Sequence, residues 1–196
     1  MMKSVSALNN VHKLGLFGNY ENKNDKNLIK VSEIKNLLIV QIVQYKNSKI
    51  LLGDLNIDNL KLKNESLTVV CNNDTRILWN GPNNWLLVST KKDLLKSITE
   101  TFKDSDFAVT DLSHSRAIIE IEGQEIKEVL KKGCPFNFNI LKKNNSINSS
   151  FNGLAFTVDI TDDNPNRIRL FALRSFGESL YDSITDASLE YGYKSI

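Results

Sequence analysis

Catalysis needs groups that converge, and this chain offers few. Its only histidines are His12 and His114, and its only cysteines are Cys71 and Cys134. His114 lies between Ser113 and Ser115, with Asp111 three residues before it. A nucleophile, a base and an orienting carboxylate are thus present in one short stretch. Neighbours along an extended turn point apart, however, and triad members normally arrive from distant segments. The favoured reading is a turn whose Asp and Ser side chains satisfy backbone N–H groups, with His114 bonded locally or to another chain. Cys134 follows a helical pattern and precedes Pro135. A nucleophilic thiolate needs a base or a positive field, and a helix C-terminus supplies the wrong sign of dipole. Lys131 and Lys132 offset part of this, yet a buried structural thiol is the favoured reading.

Arginine is used sparingly, so Arg116 beside the turn and Arg174 before the last helix stand out. Two readings stay open for them. Their planar forks suit bidentate bonds to a carboxylate or phosphate; equally, they suit ordinary ion pairs. Trp79 and Trp85 flank a hairpin turn, where aromatic rings can stack on a flat ligand such as a pterin. Burial in a core or interface is the favoured alternative, given the area each ring hides. Neither GxGxxG nor GxxxxGK[ST] occurs, which removes the usual nucleotide cradles. The cysteines lack zinc-ligand spacing and there is no HExxH, so no metal site is expected.

Length and charge set wider bounds. The chain has 196 residues, enough for one sizeable domain or two small modules. With 25 basic and 23 acidic residues, the net charge is +2. No strong field points toward nucleic acid or anionic lipid. The best apolar run, residues 37–43, is interrupted by Gln41 and falls short of the roughly 20 residues a bilayer requires. The N-terminus has no continuous apolar h-region, so a secretory signal is not expected. Two lone cysteines fit a cytoplasmic protein with reduced thiols.

These residues need elements to position them. Val109-Thr110-Asp111-Leu112 is short and β-prone, and Ala117 to Ile121 is apolar and β-branched. Gly123 breaks that run, and Ile126, Val129 and Leu130 then share one helical face. Gly133 and Pro135 stop the helix, the glycine as a left-handed C′ residue. Upstream, residues 37–45 predict a strand and residues 51–60 a short helix. Arg76 to Trp79 and Trp85 to Ser89 predict a strand pair around Asn80-Gly81-Pro82-Asn83-Asn84. Residues 93–102 predict a helix with Leu94, Ile98 and Phe102 stacked. Residues 142–150 read as an exposed polar linker. Phe156 to Ile160 and Ile168 to Leu173 predict another strand pair. Ser175 and Glu178 then form a capping box, ahead of a buried stripe of Phe176, Leu180, Ile184, Ala187 and Tyr191.

Residues 81–102 and 164–192 share an order of turn, strand, cap and amphipathic helix, a weak internal repeat. The expected class is α+β, with two ferredoxin-like βαββαβ-type halves of about 37–111 and 112–192. Antiparallel sheets would carry helices on one face. Residues 1–30 are polar and aperiodic, and read as a loosely ordered arm before a single domain over 31–196.

The string Asp111-Leu112-Ser113-His114-Ser115-Arg116, followed by a helix ending in Lys132-Gly133-Cys134-Pro135, resembles the gamma subunit of heterotetrameric sarcosine oxidase. Two more motifs carry the likeness in order: LWNGPNNWLLV at residues 78–88 and LRSFGESLY at residues 173–181. It covers roughly residues 37–192. Gly177 and Tyr181 stand where alanine and tryptophan would be expected. The resemblance implies a four-chain flavoenzyme that oxidatively demethylates sarcosine to glycine, producing hydrogen peroxide and passing the one-carbon unit to tetrahydrofolate. FAD, FMN, NAD, tetrahydrofolate and zinc would belong to the partner alpha, beta and delta subunits, with no cofactor on this chain. It also implies a fold similar to the folate-binding domain of the glycine-cleavage T-protein, whose D-V-S-H-M turn resembles residues 111–115 here. Where that family carries a functional carboxylate, this chain reads Gly133-Cys134-Pro135-Phe136-Asn137-Phe138. The expected role is therefore a structural subunit without catalysis of its own. A stand-alone folate-binding or aminomethyltransferase-like protein is the alternative, and a complex acting on another N-methylated amine is a third. Family-motif or interface candidates are Asp111, Ser113, His114, Arg116, Gly133, Cys134, Pro135, Arg174, Ser175, Phe176 and Trp85.

Overall fold

The computed structural model describes residues 5–21 and 23–196. The first strands are β1 (Gly15–Phe17), β2 (Ile29–Glu33), β3 (Leu38–Gln44), β4 (Asn56–Ile57) and β5 (Leu60–Lys61). Next come β6 (Val69–Cys71), β7 (Thr75–Gly81), β8 (Asn84–Ser89), helix α1 (Leu94–Thr101) and β9 (Phe107–Asp111). Then follow β10 (Arg116–Glu122), helix α2 (Ile126–Lys131), β11 (Ser146–Phe151) and β12 (Leu154–Asp163). The chain closes with β13 (Asn166–Leu173), helix α3 (Gly177–Ser188) and β14 (Tyr193–Ser195). It divides into two compact units, residues 1–35, 115–143 and 148–196 in one, and residues 36–114 and 144–147 in the other. The class is α+β, with sheets that are antiparallel apart from the parallel pairing of β14 with β2.

In the first unit the sheet order is β1-β14-β2-β10-β13-β12-β11. Period-2 alternation sorts its two faces. On one, Ala117, Ile119 and Ile121 stand opposite Ala172, Leu170 and Ile168. Phe156, Val158 and Ile160 continue those rows on β12. All nine are buried. Helix α3 packs on this face, where a Cβ at Gly177 would lie 2.7 Å from the Ala117 Cβ. Helix α2 adds buried Ile126, Val129 and Leu130.

The N-terminal stretch, read as a loose arm, holds ordered structure. Leu8 is fully buried, β1 pairs with β14, and Phe17 stacks on Tyr193 at 5.1 Å. The partner strand of β1 lies almost the whole chain away, so Leu16 and Phe17 marked a possible anchor but local composition could not show the pairing. Residues 142–150 are likewise no exposed linker: β11 forms the sheet edge, with Ser146 and Ile147 buried. At the last helix, Arg174–Phe176 is a 3-10 turn and α3 begins at Gly177 without a side-chain cap. The expected capping box does not form. Instead Glu178 accepts a hydrogen bond from Asn10 Nδ2 at 2.8 Å. Phe176 is exposed, and the buried face runs through Leu180, Tyr181, Ile184, Thr185 and Ser188.

The second unit has an antiparallel sheet in the order β6-β7-β8-β3-β9. Its core gathers Leu38, Val40 and Ile42 from β3, Trp85 and Leu87 from β8, and Ile98 and Phe102 from α1 and its C-cap. Ile57, Leu60, Leu62, Ile77 and Phe107 join it. The helix expected over 51–60 is absent: a 3-10 turn at Leu52–Asp54 leads into the β4–β5 hairpin. Asp58 and Asn59 turn that hairpin with φ of 50° and 64°. Positive φ at both central residues is the signature of a two-residue I′ turn, and Asp and Asn tolerate it best after glycine.

Candidate functional site

The motif turn comes first. The Asp111 carboxylate accepts from the Ser113 backbone N–H at 2.9 Å and from the Ser113 hydroxyl at 2.6 Å. Ser113 Oγ in turn accepts the Ile39 N–H at 3.0 Å, and Leu112 N–H donates to the Ile39 carbonyl at 2.7 Å. This is an Asx turn that fastens the end of β9 to the start of β3. The hydroxyl and carboxylate serve the backbone, and the exposed His114 forms no hydrogen bond with them. No nucleophile–base pair results.

Arg116 and Arg174 sit in the first unit, at one end of the β10–β13 pair. Arg116 opposes Leu173, and the Arg174 N–H donates to the Ser115 carbonyl at 2.9 Å. The same sheet face carries Ile118 opposite Phe171, Glu120 opposite Arg169, and Glu122 opposite Arg167. A ladder of ion pairs follows. Arg169 Nε lies 2.8 Å from Glu120, Arg167 Nε 2.8 Å from Glu122, and Lys30 Nζ 2.8 Å from the other Glu122 oxygen. Lys30 and Arg167 together hold the Glu122 carboxyl below its ordinary value, and Glu122 raises Arg167. Arg116 differs. Its guanidinium reaches only Ser115, at 3.4 Å to Oγ and 3.5 Å to the carbonyl, and burial pushes its pKa down. The Arg174 guanidinium donates to the Val5 carbonyl. Neither arginine has a carboxylate partner among the described residues.

Gly133, Cys134 and Trp85 are packed into the fold. Gly133 has no positive φ, so it is not the left-handed cap expected; a Cβ there would lie 2.8 Å from the Phe151 ring. Close approach, not backbone handedness, demands the glycine. Cys134 is buried, with Sγ 3.2 Å from Ser149 Oγ, and Pro135 is exposed. Trp85 is 1% exposed and its Nε1 donates to the Lys63 carbonyl at 2.7 Å. Buried in its unit's core, it offers no face to a flat ligand. Ser175 is exposed.

Two polar networks escaped the sequence reading. The ladder had a visible signal, the alternation of Glu120 with Glu122 and of Arg167 with Arg169. The other centres on Asp58, which accepts from Thr75 Oγ1 at 2.7 Å and Lys91 Nζ at 2.8 Å. Lys91, then Thr75 and Asn72, bring its carboxyl down to about 2. Nothing local in the sequence links those positions. A polar cleft of about 460 Å³ is lined by Lys23, Asn24, Asn27, Gln124, Glu125 and Tyr191. Among the described residues no group of three or more His, Cys, Asp or Glu side chains is placed to hold a metal. No helix there is long and apolar enough to cross a membrane.

Residues 57–190 match the sarcosine oxidase, gamma subunit family. The chain belongs to that family. Among solved structures, it is similar to a chain of the heterotetrameric sarcosine oxidase from Corynebacterium sp. U-96 in complex with pyrrole 2-carboxylate. The TM-score is 0.76 at 21% identity, over 86% of this chain and 87% of that one. It also resembles the glycine cleavage system aminomethyltransferase T from Bartonella henselae, with a TM-score of 0.59 at 11% identity. That likeness covers 82% of this chain but only 46% of the aminomethyltransferase. No curated protein matches the chain in sequence. Membership in the gamma family agrees with the three motifs, and the two structures share its α+β fold.

Proposed function

We propose that this chain is a non-catalytic structural subunit of a heterotetrameric sarcosine oxidase, acting through contacts with flavin-bearing subunits. The observation that carries this reading is how its reactive groups are used. Asp111 and Ser113 tie a turn, Cys134 bonds Ser149, and Trp85 lies in a core. The complex would oxidatively demethylate sarcosine to glycine in the cytoplasm. FAD, FMN, NAD, tetrahydrofolate and zinc would reside on its alpha, beta and delta partners.

The likeness to an aminomethyltransferase favours a second reading, a stand-alone folate-binding protein. Residues 133–138 speak against it, because they bury Cys134 and Phe138 and contain no acid. A native pull-down from the chain's own cells, with mass spectrometry and a flavin absorbance spectrum, separates the two. Flavin-bearing partners are expected. A solitary, colourless protein that titrates with folate would overturn the subunit reading. Recovered partners would also be assayed on several N-methylated amines, which separates sarcosine from another amine as substrate.

A further inference from the structure

One sheet face of the first unit follows a rule that it breaks at one end. Glu120 pairs with Arg169, and Glu122 pairs with both Arg167 and Lys30. Arg116 continues the same row and meets Leu173 instead. It is half-buried, where an unpaired cation is costly. The residues outside the description are Met1, Met2, Lys3, Ser4 and Asn22, and none has a side-chain carboxylate to offer. Among the described residues, no acid of its own unit answers Arg116.

The surroundings suit a protein partner. Leu173 is 44% exposed, Phe176 42% and Val5 64%. They lie close by through Leu173 opposing Arg116, the single 3-10 turn from Arg174 to Phe176, and the Arg174 bond to the Val5 carbonyl. Arginine beside exposed aromatic and aliphatic side chains is the composition of an interface centre. Free phosphate would satisfy the arginines but leave the three apolar side chains in water.

We propose that Arg116 and Arg174, framed by Val5, Leu173 and Phe176, dock an acidic segment of a partner subunit that presents a carboxylate flanked by apolar side chains. This rests on the subunit reading above. Carboxylate entry would give Arg116 an acid, as Glu120 and Glu122 give the arginines beyond the intervening Ile118–Phe171 pair, and would desolvate the apolar side chains.

The test uses the complex purified from cells. Hydrogen exchange compares the isolated full chain with the assembled one, and Arg116→Glu with Arg174→Glu is followed through the same pull-down. Slowed exchange over residues 115–117 and 173–177 on assembly, with partner retention lowered about tenfold or more in the double variant, is expected. Unchanged exchange in those segments overturns the docking surface even if the variant misfolds, because that measurement uses the unaltered chain. Full retention by a folded double variant overturns it as well. Recovery of the unaltered chain without any flavin protein would instead remove the subunit reading, and the docking surface with it.

Discussion

The Glu122 carboxylate lies 2.8 Å from the Arg167 Nε of the residue directly opposite it in the β10–β13 pair, and its second oxygen takes Lys30 from β2. Three strands are thereby tied at one carboxylate. Lys30 and Arg167 lower its pKa from 4.5, so the bonds stabilise the fold above that value and are lost as pH falls through the lowered one. Glu122→Gln should cost about 1 kcal/mol at neutral pH. Urea unfolding at pH 7 and pH 3 (about 4 units apart) should show the gap from the unaltered chain closing in acid.

Asp58 provides a second acid-sensitive contact. Its carboxyl is held at about 2, with the ordinary value at 3.8. Its contribution is complete above the ordinary value and disappears as pH falls toward the folded one. Asp58→Asn keeps the tolerance for positive φ but removes the charge and one of the two accepting oxygens. Because Lys91 is 40% exposed, screening limits the loss to about 1 kcal/mol at neutral pH. A larger loss in thermal melts would mean the turn itself had changed.

Gly177 opens α3 directly against Ala117. Alanine there would gain helix propensity of at most about 1 kcal/mol. Its Cβ would meet the Ala117 Cβ at 2.7 Å and Leu8 at 3.4 Å, and overpacking of this kind costs about 1–3 kcal/mol. Gly177→Ala should therefore destabilise. Pairing it with Ala117→Gly should recover most of the overpacking loss, as a double-mutant cycle would show.

The two tryptophans face each other across the β7–β8 hairpin but differ in burial. Trp85→Ala should cost about 3–5 kcal/mol, as large core truncations do. Trp79, half-buried and bonded through Nε1 to Asn64 at 3.2 Å, should cost clearly less. Equal losses in chemical denaturation would contradict the assignment of Trp85 to the core.

In the motif turn, Ser113→Ala removes the acceptor for the Ile39 N–H and the donor to Asp111, a loss of about 1 kcal/mol. His114→Ala should stay within roughly 0.5 kcal/mol, as for other exposed positions. A His114 effect seen only in the assembled complex would place that imidazole at an interface.

What the sequence determined alone was local. The apolar, β-branched run over residues 117–121, the asparagine- and glycine-rich turn before Trp85, and the one-turn spacing of Leu94, Ile98 and Phe102 each state an element. They do so because period and turn chemistry act between near neighbours. The motifs at residues 78–88, 111–116 and 173–181 carried the family for the same reason. Tertiary structure decided what depends on partners far along the chain. Residues 15–17, in a polar stretch of the chain, become a strand because β14 accepts them. Asp58 and Asn59 turn a hairpin because Ile57 and Leu60 find a core beneath them. Gly133 is needed for space beside Phe151. The fate of Arg116 was also settled there: strand register assigns a carboxylate to every other arginine on its sheet face and sets it opposite a leucine.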